Sequence, residues 1–188
     1  MARIETDSIG SCELPDDALF GVNTLRGIEN FDISPLKIGN EPAFIRALAA
    51  IKKAAARANA DVGALDAGKS TAIVSACDEI LAGQHHAQFV VDLLEGSGGT
   101  SINMNANEVI ANRALQIMGH RPGRYDELNP NDHVNKGQST NDVVPSAVKL
   151  AVLEKSTTLI DSLGHLAETL QTKAAGFASV LKIGRTCM

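Results

Sequence analysis

Three short segments of the sequence combine glycines with small polar side chains, and each could bind an anion. They are "GSGGTS" at residues 96–101, "GQSTND" at 137–142 and "GRT" at 184–186. The N–H groups and the positive dipole end at a helix start attract anions, and nearby hydroxyl and carboxamide groups add hydrogen-bond donors. Two or three such segments meeting in space would hold a small dicarboxylate.

The candidate anion-binding residues carry the hydroxyl and amide groups of these segments. They are Thr100, Ser101, Ser139, Thr140, Asn141 and Thr186. Each segment also has a simpler interpretation, because a polar residue before a helix is often only its cap and a Gly-rich loop is often only a turn. Spacing alone leaves both interpretations open.

The composition favours a helical protein without nucleic-acid or membrane partners. Hydrophobic residues make up 44% of the 188 residues, aromatic residues only 3%, and the net charge is −5. Nucleic acid is an unexpected partner, because the chain has no basic patch with interleaved aromatic residues. We expect a soluble, cytoplasmic protein, because the sequence has neither an apolar run of about 18 residues nor a leader-like N-terminus.

The cysteines and the adjacent histidines do not predict a metal site. Cys12, Cys77 and Cys187 lie far apart, which is typical of reduced thiols, and the spacing around Cys77 predicts a small core residue. His85 and His86 come near a predicted helix end, where we expect them to be solvent exposed.

The elements that must position the three segments are mostly helices. "RIETD" and "SCELP" predict a short β-hairpin around residues 8–11. Apolar spacing predicts helices from residue 41 to a stop at Gly63, over about 66–82 and over about 103–118. The last of these contains several Asn residues, which are poor helix formers, so we expect their side chains to make hydrogen bonds that matter.

A long helix is predicted from Ser139 to about Ala175. Its apolar seam has heptad-like spacing and consists of Val148, Val152, Leu159, Leu163, Leu166 and Leu170. A helix of about 35 residues is about 50 Å long. A domain made of the preceding 138 residues is too small to pack against its whole length. We therefore expect two domains, residues 1–138 and the start of a helical-bundle domain at 139–188, with partner helices from outside the chain.

Several long motifs, in this order, resemble the aspartase/class II fumarase superfamily over essentially the whole chain. They are "RIETDSIG…ELPDDALFGVNTLRGIENF", "GSGGTSINMNANEVIANRA", "NPNDHVNKGQSTNDVVPSA" and "LKIGRT". The resemblance implies a mainly α fold, in which an N-terminal helical domain with a small β-hairpin precedes the first long helix of a central helical bundle.

The resemblance also implies a lyase that reversibly deaminates L-aspartate to fumarate and ammonia by β-elimination. The family binds the substrate's carboxylates and amino group at positions that match Thr100, Ser139, Thr140, Asn141 and Thr186. No organic cofactor and no metal are expected. The family's base is a Ser in a downstream "GSSxMPxKxN" motif, absent from these residues. The chain is thus expected to be an inactive N-terminal fragment that supplies part of a site in a homotetramer.

Two positions favour the aspartase branch of the family over the fumarase branch. Asn129 stands where fumarases usually carry the His of a secondary anion site, and Cys187 stands where fumarases carry His and aspartases usually Gln. The alternatives are a fumarate hydratase, which converts fumarate to L-malate, and a non-catalytic helical assembly module. The intact "GTS" and "QSTND" clusters disfavour the assembly module, because a scaffold would not need them.

Overall fold

A computed structural model of the chain describes residues 2–184. The chain opens with two antiparallel strands, β1 (Ala2–Thr6) and β2 (Ser11–Pro15). Ala2 lies opposite Pro15 and Thr6 opposite Ser11, which confirms the predicted hairpin. The Asp7 carboxylate accepts hydrogen bonds from the N–H groups of Ile9 and Gly10 and so fixes the turn between the strands.

Five α-helices follow the hairpin and confirm the predicted mainly helical fold. They are α1 (Val22–Asn30), α2 (Pro42–Asp61), α3 (Ala67–Leu81), α4 (Thr100–Ile117) and α5 (Thr140–Phe177). Short 3₁₀ turns lie at Ile38–Asn40 and His86–Gln88, and a π-helical turn lies at Pro130–Val134. Within residues 2–184, no helix has both the length and the apolarity that a bilayer span requires.

The helix ends follow local chemistry. Pro42 occupies the first turn of α2, where a missing N–H is tolerated. The Asp66 side chain caps α3 by accepting from the Lys69 N–H. Helix α4 begins at Thr100, three residues before the predicted start, because Gly99 adopts a left-handed φ of 96° and turns the chain directly into the helix.

Helices α2, α3 and α4 build the core of the protein. Leu48, Ile73 and Ile110 are fully buried where these helices meet. The Cys77 thiol is also fully buried, which confirms the predicted core position, and burial raises the pKa of Cys77 to about 12. The thiol therefore stays protonated at neutral pH.

Helix α4 is the most deeply buried helix of this core, and two of its Asn side chains make the expected hydrogen bonds to neighbouring loops. The Asn105 side chain accepts from the Val90 N–H and donates to the Gln88 carbonyl. The Asn112 side chain donates to the Leu19 carbonyl at 2.7 Å. These bonds tie the loops around α4 to the helix.

The described residues form two compact units, residues 2–151 and 152–184, and α5 contributes to both. In the first unit Val143, Ala147 and Ala151 are buried at a spacing of four residues. The predicted domain boundary after residue 138 stays a prediction. In the second unit the predicted seam residues are each more than half exposed: Val152, Leu159, Leu163, Leu166 and Leu170.

Candidate functional site

The starts of α4 and α5 lie side by side within the first unit. The Asn103 side-chain amide on α4 donates to the Thr140 hydroxyl on α5 at 3.2 Å. Gly99 lies against Val144, and a Cβ added to Gly99 would be 2.9 Å from a Val144 methyl carbon. A glycine thus allows the two helix starts to approach, and two of the three predicted segments are neighbours in space.

The α4 segment presents two hydroxyl groups beside its first turn. Thr100 is exposed, and its hydroxyl donates to the Ser97 carbonyl at 3.2 Å. Ser101 is half-buried, and its N–H donates to the Ser97 hydroxyl at 3.1 Å. Both hydroxyls lie at the helix end that carries the positive dipole.

The α5 segment contains a helix cap. The exposed Ser139 hydroxyl accepts from the Asn141 N–H at 3.2 Å, and the Ser139 carbonyl accepts from the N–H groups of Asp142 and Val143. The capping interpretation of this segment is therefore confirmed for Ser139. Asn141 is exposed and Thr140 half-buried, and their predicted contacts with a ligand stay predictions.

Thr186 and Cys187 lie outside the described residues. The position of the third predicted segment relative to the other two therefore stays a prediction.

The loop before α4 already binds a carboxylate, which belongs to the chain itself. The Glu95 carboxylate accepts from the Ser97 N–H, the Ser97 hydroxyl and the Gly99 N–H. The backbone donors of this loop are therefore arranged in a way that suits a carboxylate group. Glu95 was not among the predicted site residues, although an acidic residue directly before a Gly-rich loop is a readable signal.

A buried polar network lies behind the two helix starts. Asn103 is 2% exposed and Lys52, on α2, is 0% exposed. The Lys52 amine donates to Asn135 Oδ1 at 2.8 Å, and the Asn103 amide donates to the same oxygen at 3.1 Å. Burial lowers the pKa of Lys52 to about 7. Lys52 was likewise not among the predicted site residues.

Helix α1 lines a groove next to Ser101. A Cβ on Gly27 would lie 3.1 Å from the Ser101 hydroxyl, so α1 and α4 approach closely. Arg26 lines the same groove, and its guanidinium contacts the Asp7 carboxylate at 3.3 Å. The guanidinium and Ser101 thus line one groove, and the charge of the guanidinium is paired with Asp7 and Glu29.

The α1 start itself is held by a buried carboxylate. Glu108 on α4 is 0% exposed. It accepts from the N–H groups of Gly21, Asn23 and Thr24 and from the side chains of the last two. The carboxylate satisfies the free N–H groups of the helix start and fixes α1 against α4.

Asn129 and His133 stabilise the turn before α5. Asn129 Oδ1 accepts from the N–H groups of Asn131 and Asp132, and the His133 Nδ1 accepts from the Asn129 N–H at 2.7 Å. Burial and the nearby Lys69 ammonium lower the pKa of His133. His133 is therefore a structural hydrogen-bonding residue in this turn.

The expected solvent exposure of His85 and His86 is wrong. Both are half-buried, because His85 bonds to the Glu79 carboxylate and His86 to the Ile80 carbonyl. Arg113 also binds Glu79 and, together with His85, holds the pKa of Glu79 at about 2. Across residues 2–184, no group of three or more His, Cys, Asp or Glu side chains could hold a metal ion.

A family model described as "Lyase" matches residues 10–188. The chain belongs to this lyase family. It is 49% identical over 185 residues to the aspartate ammonia-lyase of Escherichia coli strain K12 and 49% identical over 184 residues to that of Helicobacter pylori strain J99. Each match covers 98% of this chain and 39% of the relative. The chain thus spans about two fifths of the length of these curated relatives.

Solved structures show the same fold as this lyase-family chain. The fumarate lyase:delta crystallin of Brucella melitensis is 50% identical with a TM-score of 0.93, covering 98% of this chain and 41% of that one. The class II fumarase of Schistosoma mansoni is 37% identical with a TM-score of 0.87, covering 99% and 39%. Together these matches confirm the predicted membership of the aspartase/class II fumarase superfamily and the predicted fold class.

Proposed function

We propose that the protein containing this chain catalyses the reversible deamination of L-aspartate to fumarate and ammonia. Relatives that are 49% identical carry the name aspartate ammonia-lyase. The observation that carries the proposal is the contact between Asn103 and Thr140, because it joins the hydroxyl-bearing starts of α4 and α5. Two helix starts with adjacent hydroxyl groups suit a ligand with two carboxylates.

The proposed reaction is a β-elimination that these donors would assist. A base removes a proton from Cβ, and the adjacent carboxylate takes up the negative charge as an aci-carboxylate dianion. Hydroxyl groups of Thr100, Ser139 and Thr140 bind this dianion more strongly than the ground state, which lowers the barrier. The amine then leaves as ammonia. We propose that the base is a serine from a part of the protein outside this chain.

The remaining predicted contacts complete the proposed substrate site. Ser101, Asn141 and Thr186 would bind the second carboxylate or the amino group of the substrate. We propose that no organic cofactor or metal takes part, because the site would act through fixed hydroxyl and N–H donors.

Hydration of fumarate to L-malate is the second candidate, because the class II fumarase of Schistosoma mansoni shares the fold. Asn129 supports the aspartate reaction instead. Its side chain caps the turn before α5, whereas fumarases usually carry a His of a secondary anion site at this position. Cys187 in place of the fumarase His supports the same choice.

A coupled assay on the full-length protein separates the candidates. We expect ammonia release from L-aspartate and little malate from fumarate. Malate formation without ammonia release would show that the protein is a fumarase. If the protein forms neither ammonia nor malate, that result would favour the helical assembly module.

Thr140→Ala in the full-length protein should lower kcat/KM for L-aspartate about 10- to 100-fold. The reason is that a hydrogen bond to a charged group contributes about 1.5–3 kcal/mol. The matched control is Thr71→Ala on α3, whose exposed hydroxyl bonds to the Ala67 carbonyl of its own helix. Unchanged kinetics in Thr140→Ala, with the oligomer intact, would contradict the proposed role of Thr140.

We also propose a cytoplasmic homotetramer whose active sites combine residues of three subunits. The exposed α5 seam from Val152 to Leu170 supports this proposal, because partner helices would cover it. Sedimentation equilibrium of the full-length protein tests the tetramer. For residues 1–188 alone we expect no ammonia release.

A further inference from the structure

Lys52 is a lysine whose entire side chain is buried in the core. It lies on α2 between the buried Leu48 and Ala56 and is 0% exposed. The described partner of its amine is Asn135 Oδ1 at 2.8 Å, a neutral amide oxygen instead of a carboxylate. Burying an amine against an amide costs stability that an apolar side chain of similar length would not cost.

The amine fixes the orientation of the Asn135 amide. An ammonium cannot accept hydrogen bonds, and a neutral amine still has N–H donors, so in either form Lys52 can donate to the Asn135 oxygen that faces it. Asn135 Nδ2 then donates to the Gln138 carbonyl at 3.2 Å. The orientation of this amide is thus determined by Lys52 on one side and by a backbone acceptor on the other.

The fixed Asn135 oxygen in turn orients Asn103. Because Asn135 Oδ1 is an acceptor, Asn103 must present Nδ2 to it, and the distance is 3.1 Å. The second hydrogen of the same Nδ2 then points to the Thr140 hydroxyl oxygen at 3.2 Å. A hydroxyl that accepts from Asn103 keeps its own hydrogen for another acceptor.

We propose that Lys52 is a positioning residue that holds the Thr140 hydroxyl, through Asn135 and Asn103, as a hydrogen-bond donor to the substrate carboxylate. This inference rests on the proposed function, in which Thr140 binds the substrate. Lys52 does not touch the substrate, and its effect on catalysis passes through Thr140. Without Lys52, Asn135 is held only by its bond to the Gln138 carbonyl. The direction of the Asn103 amide, and with it that of the Thr140 hydroxyl, is then less tightly fixed.

A double-mutant cycle in the full-length protein tests this connection, because only residues that act together give non-additive effects. The variants are Lys52→Met, Thr140→Val and the double variant. The measurements are kcat/KM for L-aspartate and the dissociation constant of succinate by calorimetry. We expect Lys52→Met to lower kcat/KM about tenfold and to weaken succinate binding by a similar factor, as for loss of one oriented hydrogen bond. In the Thr140→Val background, Lys52→Met should change kcat/KM and the succinate dissociation constant by less than about twofold.

Lys53→Met is the matched control, because Lys53 is the neighbouring residue on α2 and pairs with Asp78 instead of the network. It should leave both measurements unchanged. If Lys52→Met does not fold, as judged by thermal unfolding and elution volume, Asn135→Leu breaks the connection between Lys52 and Asn103 and must show the same non-additivity with Thr140→Val.

The outcomes separate this inference from the proposed function. Additive losses, or an unchanged Lys52→Met, would overturn the inference alone. A wild-type protein that neither releases ammonia from L-aspartate nor binds succinate would overturn the proposed function and the inference with it.

Discussion

Replacing Lys52 with methionine should stabilise the chain at neutral pH and should stabilise it much less at high pH. Burial lowers the pKa of Lys52 to about 7, from an ordinary value of 10.5. Between these two values the unfolded chain binds more protons than the folded chain. The free energy of unfolding of the wild type therefore rises with pH across this window, and the Lys52→Met variant lacks this rise.

The magnitude follows from the size of the pKa difference. One pKa unit corresponds to about 1.4 kcal/mol, so the buried amine costs about 4 kcal/mol at pH 7 and about 2 kcal/mol at pH 9. The variant also loses the hydrogen bond to Asn135, and this loss reduces its gain in stability by about 1.5 kcal/mol. We therefore expect Lys52→Met to be more stable than the wild type by about 2–3 kcal/mol at pH 7 and by less than about 1 kcal/mol at pH 9.

Urea unfolding at the two pH values, followed by far-UV circular dichroism, measures this difference. Lys53→Met is the control, because it removes only a surface ion pair with Asp78 and should change the free energy of unfolding by less than about 1 kcal/mol at either pH. An equal shift in the free energy of unfolding at both pH values, or a destabilised Lys52→Met variant at pH 7, would contradict the cost assigned to burying the Lys52 amine.

Three further substitutions test other parts of the structure. Glu79→Gln should make the free energy of unfolding depend less on pH in the acid range, because Arg113 holds the Glu79 pKa at about 2 in the wild type. The stabilisation that the ionised Glu79 gives the wild type, about 1–2 kcal/mol, is present above about pH 4.5 and is lost toward pH 2. A pH series of thermal unfolding measures this difference. Glu108→Gln should destabilise the chain by about 3 kcal/mol in urea, because a carboxamide places a donor against the N–H groups at the start of α1. Glu95→Gln keeps an oxygen for the Gly99 N–H but removes a negative charge, so KM for L-aspartate should fall about threefold in steady-state assays of the full-length protein.

Sequence patterns predicted the helices well, because their apolar faces follow local spacing. Phe44 and Leu48 share one face of α2, Pro42 begins the helix and Gly63 follows its end. The same spacing of four places Lys52 on this buried face, so its burial was readable from the sequence. Its partner was not readable, because Asn135 is 83 residues away in a loop.

The candidate site was predictable as a set of residues but not as an arrangement. The motifs identified the helix starts that contain Thr100 and Thr140, and Ser139 had the expected capping residue type. The approach of these starts depends on Gly99 lying against Val144, and such tertiary packing leaves no periodic pattern in the sequence. The first turn of α4 was missed for a related reason, because the left-handed Gly99 begins the helix without a side-chain cap.

A crystal structure of the full-length protein with bound succinate tests the central claim most directly. The account predicts that one carboxylate of the inhibitor lies at the adjoining starts of α4 and α5, with an oxygen within hydrogen-bonding distance of the Thr140 hydroxyl. Succinate bound elsewhere, with Thr140 contacting only Asn103, would contradict it.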